Sequence, residues 1–166
     1  PALVGLDGKV ANIGKPDLYL GLSPSPDGKH LLSQRIERPF SYQVPVNFFP
    51  RRIEVLDLSG KPLHSIANLP LFEGLPSGND ATTIGVRDIE WRSDAPATLV
   101  WAEAQDGGDP SKAVDIRDHL LMQAAPFDKA PTLLAKLGSR YAGTEWGRGD
   151  VALVAEYWWK TRKIRS

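Results

Sequence analysis

Cysteine is absent from the chain. That excludes a disulfide framework and any thiolate-ligated metal, and it leaves the compartment open. Net charge is absent too, since 20 Lys and Arg balance 20 Asp and Glu. Such a balance gives no reason to expect a nucleic acid or a membrane surface as partner. No apolar run is long enough to span a bilayer. The opening PALVGLDGKV has neither the charged start nor the hydrophobic block of a secretory leader. Long helical stretches are also missing, because 14 prolines and 15 glycines punctuate the chain closely. What is left is 166 residues, 42% hydrophobic and 24% charged, enough for one globular domain with a core of its own.

What the chain does contain is a repeat. WRSDAP (Trp91 to Pro96) aligns with PSPDGK (Pro24 to Lys29) and with WGRGDV (Trp146 to Val151). Each follows a short strand-like run (LYLGLS, VRDIEW, YAGTEW) and precedes another (HLLSQRI, TLVWAEA, VALVAEY). Pro and Gly supply the backbone angles that a reversal needs. Trp91 and Trp146 take matched places and are expected to pack as buried side chains. A second kind of hairpin alternates with the first, in RIEVLDLSGKPLHSIANL, RDHLLMQAAPFDKAPTLLAKL and ALVGLDGKVANIG. Its turns are polar and its flanks apolar or β-branched.

Two alternating hairpins make a four-stranded antiparallel unit, and radial repetition of such units makes a β-propeller. The expected fold is therefore all-β, a partial β-propeller with two full blades and half a blade at each end. The boundaries are half blade 1–16, blade 17–69, blade 87–137 and half blade 141–166. A β-sandwich also recurs with turn signals, but it does not ask for two alternating hairpin types. Three longer connections stand out: Glu37 to Arg51, Glu103 to Arg117, and Phe72 to Gly85. Loops of this length in a compact domain tend to carry function.

Four stretches carry a resemblance: SPSPDGKHLL, RIERPFSYQVPVNFFPRRIEVLDLSGK, DAPATLVWAEAQDGGDP and EYWWKTRK. Together they resemble the propeller of prolyl-oligopeptidase-family serine peptidases, in the glutamyl endopeptidase-like branch. The resemblance implies a propeller lying over a C-terminal α/β-hydrolase domain that carries the Ser, Asp and His. This chain would be an internal piece of that propeller. Its implied role is to gate and position peptide substrates, with the hydrolase domain and the peptide as partners and no cofactor. The compartment implied is either exported (periplasmic) bacterial or plastid. The alternative is a non-enzymatic propeller that binds a protein partner through its loops.

The residues themselves offer no catalytic set. The run nearest to a nucleophile elbow, Gly21 to Ser25, lacks the final glycine and precedes a hairpin instead of a helix. His30, His64 and His119 lack metal-ligand spacing, so no metal is expected. His30 is expected to face solvent, and the other two to pack in or beside strands. Asp106, Asp109 and Asp115 invite a calcium reading, but their spacing does not match an EF-hand and a solvated turn is expected. Arg148-Gly149-Asp150 matches the integrin tripeptide only where a turn needs those residues anyway. In EYWWKTRKIRS, Tyr157 and Trp159 are expected to alternate with Trp158 and Lys160 along a half-buried strand.

A peptidase cleaving after Glu, as the resemblance implies, must pair the substrate carboxylate with a cation; Arg35, Arg38, Lys160 and Arg162, on or just after inner hairpins, could face a central channel or the hydrolase interface for this, or each could be an exposed surface residue. Glu37 beside Arg38 could instead form a structural ion pair. Each terminal half blade would leave a bare strand edge. Reciprocal exchange of half blades between two copies could cover both edges and close a six-bladed homodimer, with open, aggregation-prone monomers as the competing outcome.

Overall fold

The computed structural model describes residues 1–148 and 151–166, so Gly149 and Asp150 of the Arg-Gly-Asp tripeptide lie outside the described residues. The chain is all-β, with four antiparallel sheets of two to four strands in the meander order of propeller blades. It divides into two compact units, Pro1–Leu71 and Phe72–Ser166.

In the first unit, β1 (Ala2–Val4) and β2 (Val10–Asn12) form a hairpin whose strand residues are all exposed. The four-stranded sheet follows as β3 (Tyr19–Pro24), β4 (Leu31–Ile36), β5 (Arg51–Leu56) and β6 (Pro62–Leu69). Three turns of this unit, one in the β1–β2 hairpin and two in the sheet, share one chemistry. In each, an aspartate accepts a hydrogen bond from the amide of a following lysine, and the glycine before that lysine takes a positive φ: Asp7-Gly8-Lys9, Asp27-Gly28-Lys29 and Asp57 with Gly60-Lys61. The carboxylate replaces backbone partners lost at the reversal, and glycine supplies the left-handed angle at no steric cost. Ile13 inserts beside Leu31 and Leu56, where it is 3% exposed. The Gly14 amide donates to the Ser59 carbonyl at 3.0 Å. A Cβ on Gly60 would stand 2.6 Å from the Gly14 nitrogen, so only glycine lets the hairpin reach the sheet.

The second unit repeats the plan. β7 (Arg87–Trp91), β8 (Thr98–Ala104), β9 (Asp118–Ala124) and β10 (Thr132–Leu137) form a four-stranded meander. β8 lies in its interior, so it reads as a nearly unbroken apolar run, with Leu99, Val100, Trp101 and Ala102 all buried. β11 (Arg140–Trp146), β12 (Ala152–Trp158) and β13 (Lys163–Arg165) form the last sheet. Val100, Ala102, Leu120, Leu137 and Tyr141 make one core cluster across the two sheets, with Trp146 and Val154 packed against it.

Three expectations need correction. The segment after Trp158 does not continue as a strand: residues 159–162 turn, with the Arg162 amide donating to the Trp159 carbonyl at 3.1 Å, and β13 pairs back onto β12. The last sheet thus has three strands where two were expected. Trp91 and Trp146 do end matching strands, but both are half-buried. The fully buried tryptophan is Trp101, at 2% exposure. His30 is half-buried, its backbone amide tied to the Ser25 hydroxyl at 3.0 Å.

Candidate functional site

Ser25, Asp27 and His30 meet in one turn, so the possibility of a nucleophile has to be tested there. The Ser25 hydroxyl donates directly to Asp27 Oδ1 at 2.6 Å, and His30 Nδ1 stands 3.8 Å from the same oxygen. A triad needs the imidazole between hydroxyl and carboxylate, so that the ring can take the hydroxyl proton. Here the carboxylate takes that bond itself, and Ser25 is 3% exposed. The hydrogen bond from Ser25 holds the Asp27 carboxyl below its ordinary range, which suits a turn cap and not a base. Among the described residues no group of three His, Asp or Glu is arranged to hold a metal.

The four cations suggested by sequence fall in three places. Arg35, on β4, is committed on both sides: Nη2 meets Glu54 Oε2 at 2.6 Å and Nη1 meets Asp17 Oδ2 at 3.2 Å. It lines a cavity of about 350 Å³ together with Lys15, Asp17, Tyr19 and Lys61. Arg38 begins the long loop after β4, where its guanidinium carbon lies 4.9 Å over the Phe40 ring. Phe40 stacks on Phe49 at 5.9 Å, yet Phe40, Tyr42 and Val46 stay exposed, so the loop offers an apolar surface beside a cation. Glu37 pairs with Arg52 at 2.7 Å. Lys160 and Arg162 belong to the turn between β12 and β13, and the Arg162 guanidinium carbon sits 3.9 Å over the Trp159 ring.

Sequence reasoning missed the most densely bonded polar cluster. Asp106, expected in a solvated turn, is 2% exposed. It accepts from Arg117 Nη1 at 2.8 Å, Arg140 Nη2 at 2.7 Å and the Gly108 amide at 2.9 Å. Asp118 is fully buried and accepts from Arg87, from Arg140 Nη1 at 3.0 Å and from the Tyr141 amide at 2.7 Å. Arg140 Nε donates to the Asp80 carbonyl at 2.8 Å, and the Asp80 carboxylate accepts from the Trp159 amide at 2.9 Å. Burial pushes the Asp106 carboxyl up, but the hydrogen bonds from Arg140 and Arg117 outweigh it and hold the group below its ordinary value. The other two members of the calcium reading, Asp109 and Asp115, take no part: Asp109 caps Ser111, and Asp115 is exposed. The network ties loops to strand starts and leaves its carboxylates no freedom for chemistry.

A polar cleft of about 410 Å³ opens between β7 and β11, lined by Asp88, Glu90, Tyr141 and Gly143. Burial raises the Glu90 carboxyl despite a hydrogen bond from Tyr141. The Tyr141 and Thr144 hydroxyls share a hydrogen bond of 2.9 Å.

No family model matches the chain, and no solved structure matches it. Two curated proteins do. A probable chloroplastic glutamyl endopeptidase of Oryza sativa subsp. japonica is 43% identical over 166 residues, 99% of this chain and 18% of that protein. Its counterpart in Arabidopsis thaliana is 42% identical over 166 residues, again 99% of this chain and 17% of that protein. The chain thus spans less than a fifth of either relative and is similar to a segment of these peptidases.

Proposed function

We propose that this chain is a non-catalytic propeller segment of a serine peptidase of the prolyl-oligopeptidase family, which gates and positions peptide substrates over an α/β-hydrolase domain outside the chain. The observation that carries this reading is identity of 42–43% along 99% of the chain with two glutamyl endopeptidases. The four-stranded meanders supply blade-like units, and the described residues hold no nucleophile-base arrangement that could compete. The exposed aromatic loop with Arg38 is the segment best suited to meet a peptide or the hydrolase domain, because it joins apolar contact area to a cation. The chloroplast names of both relatives favour a plastid over an exported bacterial protein.

Two measurements test the proposal. The isolated chain, incubated with glutamyl and prolyl chromogenic peptides, gives no turnover sensitive to a serine-directed inhibitor. In the full-length parent, Arg38→Ala lowers kcat/KM on glutamyl substrates more than on others. An equal loss on all substrates would assign Arg38 to folding. A parent reading frame without Gly-x-Ser-x-Gly, Asp and His would leave a loop-mediated binding module as the function.

A further inference from the structure

Met122 is the single methionine of a chain without cysteine, so it carries the only sulfur. It sits half-buried in β9, paired with Val100 of β8 on one side and Thr132 of β10 on the other. It lines a cavity of about 400 Å³ together with Arg92, Thr98, Pro126, Lys129 and Thr132. We propose that Met122 is a redox modification site: a hydroperoxide entering this cavity converts the thioether to the sulfoxide, and the Arg92 guanidinium receives the new oxygen.

The way Arg92 is held makes the site. Its Nε and Nη2 donate to the Asp94 carboxylate at 3.0 and 2.8 Å, and its guanidinium carbon lies 4.1 Å over the Trp146 ring. Two sides of the fork are thus fixed before any oxidant arrives. The remaining nitrogen, Nη1, donates to the Met122 sulfur at 3.5 Å. A thioether is a weak acceptor, so a charged donor gains little from that bond. A sulfoxide oxygen is a much stronger acceptor, and a charged donor roughly doubles the strength of the bond it makes. Oxidising a packed methionine ordinarily disrupts its surroundings, because an apolar side chain becomes polar. Here a partner for the new dipole already stands at the sulfur, which offsets the cost of placing a polar group in a half-buried site.

The step balances with the peroxide alone. Sulfur has two lone pairs; Arg92 engages one, and the other attacks an oxygen of the peroxide. The S–O bond forms as the O–O bond breaks. A proton passes from the attacked oxygen to the departing one, which leaves as water from hydrogen peroxide or as an alcohol from an organic hydroperoxide. Sulfur loses two electrons and the peroxide gains them. Arg92 Nη1 then moves its bond from sulfur to the new oxygen. That movement is felt beyond β9, because the same guanidinium covers the Trp146 ring on β11.

The test exposes the 15N-labelled chain to hydrogen peroxide and follows it by peptide mass mapping and NMR. The expected rate of oxygen gain at Met122 lies within about tenfold of that of N-acetylmethionine amide, because a half-buried sulfur on a cavity stays within reach of the oxidant. The Arg92 Nε and Trp146 indole resonances shift in step with the mass gain, and the spectrum keeps its dispersion. Methionine sulfoxide reductase reverses both changes. Met122→Leu shows neither. Arg92→Lys keeps the charge and loses the fork; it is still oxidised, and its denaturation midpoint falls further on oxidation than the parent's does. A rate more than about tenfold slower than the free analogue's would mean that the sulfur is enclosed and would overturn the proposal. So would a mass gain that leaves the Arg92 and Trp146 resonances in place, an oxidised parent that unfolds, or an equal fall in midpoint for parent and Arg92→Lys.

Discussion

Asp118 is an anchor of the buried ion network. It is fully buried and serves Arg87, Arg140 and the Tyr141 amide at once. Removing one partner of a buried ion network leaves uncompensated charge behind. Asp118→Asn should therefore cost about 3–5 kcal/mol in denaturant unfolding. A midpoint near the parent's would mean that Arg87 and Arg140 find solvent instead. Asp106 adds a pH dependence of definite sign. Its folded-state carboxyl titrates below the ordinary 3.8, because Arg140 and Arg117 overcome the effect of burial. The unfolded chain then takes up that proton first as the solution is acidified. The stabilisation is fully present above about pH 5, and it is lost as pH falls below the ordinary value and through the folded one. The gap in unfolding free energy between the parent and Asp106→Asn should narrow progressively below that point. A constant gap down to full acid unfolding would refute the assignment. Gly108 belongs to the same locale, since it has φ +77 and a Cβ there would clash with the Thr82 carbonyl oxygen. None of these partnerships is visible in the sequence, because their members lie 34, 31 and 60 residues apart (Asp106–Arg140, Arg87–Asp118, Asp80–Arg140).

The hairpins, by contrast, write their geometry locally. Asp with Gly-Lys after it caps its own reversal, so the chain announces each such turn within five residues. β13 escapes detection for the opposite reason. Its turn contains neither Gly nor Pro; Arg162 adopts φ 54 in glycine's place, and a strand of three residues carries no alternation to count. Trp146 shows a third case, in which place was legible and depth was not. It ends β11 as expected, packs against the cluster around Val100 and Leu120, and receives the Arg92 guanidinium carbon 4.1 Å over its ring. Half-buried packing should make Trp146→Ala cost about 2 kcal/mol, below the 3–5 kcal/mol of a fully enclosed aromatic. A loss above that range would show that the ring is more enclosed than its exposure indicates; no loss would show that Arg92 and its neighbours repack.

At the scale of the whole molecule, strand counts bear on self-association. Half-blade exchange between copies requires the outer edge of β12, and β13 occupies that edge. A composite unit of β11 to β13 with β1 and β2 would hold five strands, one more than either complete sheet. The expected outcome in light scattering is a monomer at micromolar concentration. A stable dimer in which the β13 amides become protected from exchange would establish the exchange and move its seam to β13. The amino-terminal hairpin offers a different kind of leverage. Among the first 18 residues Ile13 alone is buried, and beyond it the hairpin reaches the sheet through the bond from the Gly14 amide to Ser59. A molecule tethered by its first residue and pulled would therefore open like a zipper. The β1–β2 bonds would break one after another under low load, until the force reached Ile13. That side chain would act as the latch, and its extraction would mark the first distinct step in the extension trace.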